Sequence, residues 1–241
     1  MRARLTIASL LVELVTLATV INGPVIGEAP FGAYIFEENF EGANAPTPNC
    51  FDLVGWDGAG GGASVWNKNS TSNACGTASL EIFGGTSGQY AYSRYNTGSA
   101  KTNAYVHVRV MVNTLLPTEN APFLKLGKAA DVTPTSGSLN AYFTTNGLMR
   151  VVSGSSTVDT SATITSNTYY HVWIRWSTNG AGRLAFSTST NEPTFGSSVA
   201  AFSGGNTNTI QYLFCTAPGL FMLNFDTVKW KSGIIGAVDC N

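Results

Sequence analysis

Ala104-Tyr105-Val106-His107-Val108-Arg109-Val110-Met111-Val112 is the stretch on which the fold turns. Valine stands at every second position from 106 to 112, with Tyr105, His107, Arg109 and Met111 between. A period of two belongs to a strand whose successive side chains point to opposite faces. β-Branched residues suit that backbone, so the valine face belongs in a core and the other face points away from it. The segment 169–176 repeats the pattern, with Tyr170, Val172, Ile174 and Trp176 on one side and Tyr169, His171, Trp173 and Arg175 on the other. Shorter apolar runs at 34–40, 78–83, 89–95, 123–127, 139–143, 148–152, 184–188, 210–214 and 221–230 are separated by Gly- and Asn-rich turns. So many short strands, with no long helix among them, predict an all-β protein: a two-sheet antiparallel β-sandwich of the jelly-roll kind.

Composition narrows the function. Of 241 residues only 11% are charged, and the formal net charge is −1. Nucleic acid and anionic membrane surfaces are disfavoured, because both are bound through clustered Lys and Arg. Gly58-Ala59-Gly60-Gly61-Gly62 follows no buried parallel strand and opens no helix, so it reads as a flexible turn and not a phosphate loop.

Arg2 and Arg4 precede an apolar run over 5–21, and Gly27-Glu28-Ala29 offers small residues at the two positions a signal peptidase inspects. The expectation is a signal peptide over 1–29 and one secreted sandwich domain over 30–241. An uncleaved anchor is the alternative, and Glu13 inside the run is a departure from the usual pattern. Cys50, Cys75, Cys215 and Cys240 lack the close spacing of zinc or redox sites, so in an exported chain they read as two disulfides. Sequence proximity favours Cys50–Cys75 and Cys215–Cys240 among the three connectivities, and closing a loop of roughly 25 residues contributes about 3 kcal/mol.

Three segments carry a resemblance. Thr144-Thr145-Asn146-Gly147, then Tyr170-His171-Val172-Trp173-Ile174-Arg175-Trp176, then Phe225-Asp226-Thr227-Val228-Lys229-Trp230 follow an order that resembles laminarinase- and lichenase-type β-glucanases. The opening Phe36-Glu37-Glu38-Asn39-Phe40-Glu41-Gly42, followed by Trp56, is similar to the first strand of secreted lectin-like jelly rolls. Together they resemble the concanavalin A-like lectin and glucanase superfamily. The resemblance implies a polysaccharide or other glycan as partner, held on a concave sheet. It puts the Val108 strand in that concave sheet and the Val172 strand in the convex one. It also implies a structural Ca²⁺ on the convex side, held by Asp226 with Glu41 and the carbonyl of Gly42; calcium takes such mixed oxygen ligands.

Catalytic machinery is harder to find. Retaining glycosidases need two carboxyl groups about 5–5.5 Å apart. The glucanases carry theirs in a Glu-x-Asp-x-x-Glu strand shortly before the Tyr-His strand. The matching stretch, 123–131, holds Asp131 alone, beyond the strand, together with Lys125 and Lys128. A lyase needs a Tyr or His base beside a neutralised carboxylate. Tyr105, His107 and Arg109 supply those residue types, as do Tyr169, His171 and Arg175, but packing across a sheet surface calls for the same types. The sequence therefore reads as a lectin-like carbohydrate-binding protein without catalysis. The alternatives are a polysaccharide-degrading enzyme on the same fold and an extracellular structural or adhesive protein. Sugars are recognised by aromatic faces and a few fixed polar groups. The candidates are Tyr105, His107 and Arg109, with Tyr90, Tyr92 and Arg94 extending the same surface and Trp56 and Trp66 at its rim.

Overall fold

The computed structural model describes residues 34–40, 58–60, 65–69, 78–85, 89–115, 120–135, 137–178, 181–193, 199–203 and 209–231. The expected signal peptide over 1–29, Glu41, Gly42, Cys50, Cys75, Cys240 and Trp56 lie outside these residues, as does the side chain of Trp66.

Fifteen strands are described: β1 (Tyr34–Glu38), β2 (Gly58–Gly60), β3 (Val65–Asn69), β4 (Ser79–Phe83), β5 (Tyr90–Lys101), β6 (Asn103–Val112), β7 (Ala121–Gly127), β8 (Leu139–Phe143), β9 (Leu148–Ser153), β10 (Ser156–Thr163), β11 (Tyr169–Ser177), β12 (Ala181–Ser187), β13 (Val199–Ser203), β14 (Ile210–Pro218) and β15 (Met222–Lys231). They form two antiparallel sheets. The eight-stranded sheet runs β13-β12-β11-β6-β15-β4-β3, with β1 also paired to β15, and the seven-stranded sheet runs β10-β9-β8-β7-β14-β5-β2. The all-β sandwich expected from the period-two runs is the observed architecture.

Valines 106, 108, 110 and 112 are buried together with Val172, Ile174, Leu124, Leu126, Phe143 and Trp230 in one core between the sheets. Burying each such side chain stabilises the fold by about 1.5–3 kcal/mol, which fixes the register of every strand that carries the pattern. β6 lies between β11 and β15, with Val108 opposite both Val172 and Val228. The pairing with β15 shifts register between Phe225 and Thr227, so Asp226 falls at a bulge.

Three expectations are corrected. Gly58–Gly60 is not a free turn; it is an edge strand paired with Tyr92–Arg94 of β5, a place where missing side chains cost little packing. β6 and β11 are direct neighbours in one sheet, so they do not divide between a concave and a convex sheet. Cys215 is a free cysteine buried on the inner face of β14, so the expected Cys215–Cys240 bridge is not formed. Burial pushes its thiol pKa well up, and the residue behaves as a small apolar core group.

Candidate functional site

Because β6 and β11 are paired, their two outward trios interleave on the outer face of the eight-stranded sheet. Tyr105 stands opposite Arg175, His107 opposite Trp173, and Arg109 opposite His171. This face is largely closed: Tyr105 is 4% exposed, His107 0%, His171 3% and Trp173 0%. His107 Nε2 and His171 Nδ1 are 3.0 Å apart, so one imidazole donates to the other, and the Trp173 ring lies against both. His107 Nδ1 and Trp173 Nε1 are buried with no hydrogen-bond partner.

Burial, then the neighbouring His171, Lys229 and Arg109, holds the pKa of His107 well below its usual value. Burial and Arg109 lower that of His171 to about 4. At neutral pH both imidazoles are uncharged. Beside them the Tyr105 hydroxyl donates to Glu192 Oε2, and Arg175 Nη2 donates to Tyr105 Oη at 3.1 Å and to Glu192 at 2.7 Å. Burial and the Glu192 carboxylate raise the Tyr105 pKa, which makes it a poor base. Arg183 Nε adds a contact to Glu192 at 3.7 Å. The network ties the segment after β12 to the sheet.

Asp226 is buried on the same face, its Oδ2 3.6 Å from Arg109 Nη1, and the guanidinium lies over the Tyr169 ring at 5.6 Å. This bears on calcium. Among the described residues no group of three or more His, Cys, Asp or Glu is arranged to hold a metal ion, and Asp226, the one expected carboxylate that is described, faces a cation. Glu41 and Gly42, the other expected ligands, lie outside the described residues.

Tyr90, Tyr92 and Arg94 belong to β5, in the seven-stranded sheet, and point from its outer face. The expectation that they extend the Tyr105 surface is corrected: the two sets lie on opposite sides of the sandwich, because the chain changes sheets between β5 and β6. Their own face is different in kind. Tyr92 stands opposite Thr216, whose hydroxyl donates to the Pro122 carbonyl at 2.7 Å, and Pro122 stands opposite Tyr142. Tyr142 in turn stands opposite Arg150, which holds Asp159 with two bonds of 2.6 and 2.8 Å. Tyr90, Tyr92, Tyr142 and Tyr212 are all partly buried and partly exposed. Burial, with a contribution from nearby Tyr90, pushes the Tyr142 pKa up to about 12, so its hydroxyl stays protonated as a donor.

The adjacent row runs Arg94, Phe214, Lys125, Asn140. Lys125 is only 2% exposed. Its ammonium donates to the carbonyls of Asp131 and, at 2.5 Å, Thr133, and sits 5.5 Å from the Phe214 ring centre. Arg94 Nη1 donates to the Ala130 carbonyl at 3.2 Å, so the segment after β7 is strapped back over this row. Asn140 is buried beside Lys125, and its Oδ1 has no hydrogen-bond partner. Lys125, Asn140, Tyr142, Arg150 and Tyr212 were not among the sequence candidates. Tyr142 carried the same signal as the others, alternating with Ala141 and Phe143, but nothing local says that β8 and β5 share a sheet.

No protein-family model matches the sequence, and no curated protein sequence matches it. Among solved structures the chain is similar to "Cellulose induced protein, Cip1", with a TM-score of 0.59 and 13% identity over 83% of this chain and 99% of that one. Looser likenesses include lectin I-B4 from Griffonia simplicifolia in its metal-free form, with a TM-score of 0.45 and 9% identity over 71% of this chain and 94% of that one. Trypanosoma rangeli sialidase gives a TM-score of 0.48 and 12% identity, covering 72% of this chain but only 28% of the sialidase. At such identities likeness speaks for the fold alone. The class is thus a two-sheet antiparallel sandwich. Within it the fold is the concanavalin A-like one.

Proposed function

We propose that this is a secreted carbohydrate-binding protein whose polysaccharide ligand lies on the outer face of the seven-stranded sheet, across Tyr90, Tyr92 and Tyr142. The observation that carries the reading is exposure. A pyranose presents apolar C–H patches that an aromatic ring covers only if one ring face is free, and the tyrosines of this sheet are half-buried where Tyr105, His107 and Trp173 of the other are closed. The Tyr142 hydroxyl and the Arg150 guanidinium are polar groups fixed beside the rings. Binding without catalysis is favoured because, among the described residues, the strands of this face carry one carboxylate, Asp159, already engaged by Arg150. Export is inferred from the 1–29 segment.

The test is retention of the native protein on insoluble polysaccharides, read together with release of products. Tyr92→Ala and Tyr142→Ala should each weaken retention by about tenfold, the scale of a lost stacking anchor. Retention unchanged in both would remove this face from the site. New reducing ends or unsaturated sugars would make the protein an enzyme.

A further inference from the structure

We propose that the ligand of this face is an unbranched polysaccharide, gripped in single file over an internal run of about four or more sugar residues laid across the strands. The inference rests on the reading of the face as glycan-binding and adds the class and length of chain that it takes. Tyr92 of β5, Thr216 of β14, Pro122 of β7 and Tyr142 of β8 stand in one row across neighbouring strands. Thr216 and Pro122 are short and buried, and the Thr216 hydroxyl is committed to the Pro122 carbonyl, so a ligand meets the two partly exposed rings and little between them. From β5 to β8 is a distance of three strand spacings, about 14 Å. An extended pyranose chain advances by roughly one such spacing per residue, so a chain that stacks on both rings must bridge them with further sugars between. A single sugar reaches one ring only. Arg150 of β9 and Asp159 of β10 continue the row for two more spacings, with polar groups suited to hydroxyls.

The width of the strip is set along the strands. At one end Tyr90 stands opposite Pro218, and β14 then turns away, with the Gly219 N–H donating to the Gln89 carbonyl at 2.8 Å. At the other end, beyond Tyr92, the segment after β7 crosses the sheet. Arg94 Nη1 donates to the Ala130 carbonyl at 3.2 Å, and Lys125 Nζ donates to the carbonyls of Asp131 and Thr133. Lys128, Ala129, Ala130 and Asp131 are exposed, so this segment stands above the sheet as a ledge. Between ledge and turn, β5 keeps two outward positions, Tyr90 and Tyr92, about 7 Å apart along the strand. That strip has room for one extended chain. A side branch directed at the ledge meets backbone that Arg94 and Lys125 hold in place, and such a clash discriminates against branched chains.

The experiment uses the native protein in two arms. The first compares retention on immobilised cellulose, linear mannan, unsubstituted xylan and curdlan with retention on xyloglucan, galactomannan, arabinoxylan and a side-branched β-1,3-glucan. The backbone that is retained should be held at least about tenfold more tightly in its unbranched form. Lys125→Met removes a buried charge and should fold, which a melting curve checks; it and Arg94→Met untie the ledge, and each should reduce that preference about threefold or more. The second arm titrates oligosaccharides prepared by partial hydrolysis of the retained polymer. Affinity should rise at least about tenfold between two and four sugar residues and flatten by about six, and in Tyr142→Ala the rise should shrink to about twofold or less. Equal retention of branched and unbranched members, or a monosaccharide that binds as tightly as the longer chains, would overturn the proposal while leaving the glycan-binding reading intact. A rise with length untouched by Tyr142→Ala would overturn the assignment to this row. Retention on none of these polymers would overturn the proposal, and with no binding to any other insoluble polysaccharide it would overturn the glycan-binding reading as well.

Discussion

The two outer faces of the sandwich are built from the same residue types and end in opposite conditions. On the eight-stranded sheet, Tyr105, His107, His171 and Trp173 pack against one another until almost none of their surface meets water. On the seven-stranded sheet, Tyr90, Tyr92, Tyr142 and Tyr212 stay partly exposed, while Phe214 and Lys125 of the same face are buried. The difference shows that aromatic and basic residues at alternate positions define a surface but not its use. Cross-strand neighbours decide whether the rings close on each other or stay partly exposed.

The comparison is most sharply tested by removing one ring from each face. Trp173→Ala should destabilise the protein by about 3–5 kcal/mol, as for a fully buried aromatic, with no penalty for its Nε1, which has no partner to lose. Tyr92→Ala should cost under about 1 kcal/mol by urea denaturation, since part of its surface is already hydrated. If the two costs were equal, the distinction between a closed and an open face would fall.

The next largest effect is pH dependence. Both imidazoles have folded pKa values depressed below the unfolded one, so their contribution is fully present above about pH 6.5 and is lost as pH falls towards the folded values. Protonation places charge next to Arg109 and Lys229, with Lys229 paired to Glu37 and Asp226 facing Arg109, and among the described residues no carboxylate contacts the imidazoles. Between pH 6.5 and 4.5 the native protein should lose on the order of 2 kcal/mol in denaturant midpoints. A double variant, His107→Gln with His171→Gln, should show a much flatter profile over that window. An unchanged slope would mean that the pair is not what titrates. Glycan retention by the opposite face, measured over the same window, should change far less than stability.

The smallest expected effect concerns calcium. With Arg109 already facing Asp226, millimolar calcium should move the melting temperature by less than about one degree relative to chelator, a few tenths of a kcal/mol at this chain length. A rise that grows with calcium concentration and vanishes in Asp226→Asn would place the ion there, completed by Glu41 and Gly42.

Much of the fold was legible because burial enforces a local period. The valines of β6, the Tyr170–Trp176 alternation of β11 and the runs at β8, β9 and β15 each announce a strand and its inner face. β10 (Ser156–Thr163) and β13 (Val199–Ser203) escaped because they lie at sheet edges. An edge strand buries little: in β10 only Thr160 is fully enclosed, so there is no apolar run to read. β2 escaped for a related reason, since three small residues can pair along an edge with no side-chain pattern at all.

The site divides along the same line. Sequence by itself determined which side chains point out of the core, because alternation is a property of one strand: Tyr90, Tyr92, Arg94, Tyr105, His107 and Arg109 all do. It did not determine which outward residues share a face. That depends on where the chain crosses between sheets and which strands become neighbours, as when β5 and β6, adjacent in sequence, part to opposite sheets while β5 joins β14 and β6 joins β11. Pairing between strands far apart in the chain is set by how the whole core closes, and no local period records it. The tertiary structure alone therefore decided that Tyr142 stands near Tyr90, that Cys215 stays a buried thiol, and that Lys125 lies against the Phe214 ring.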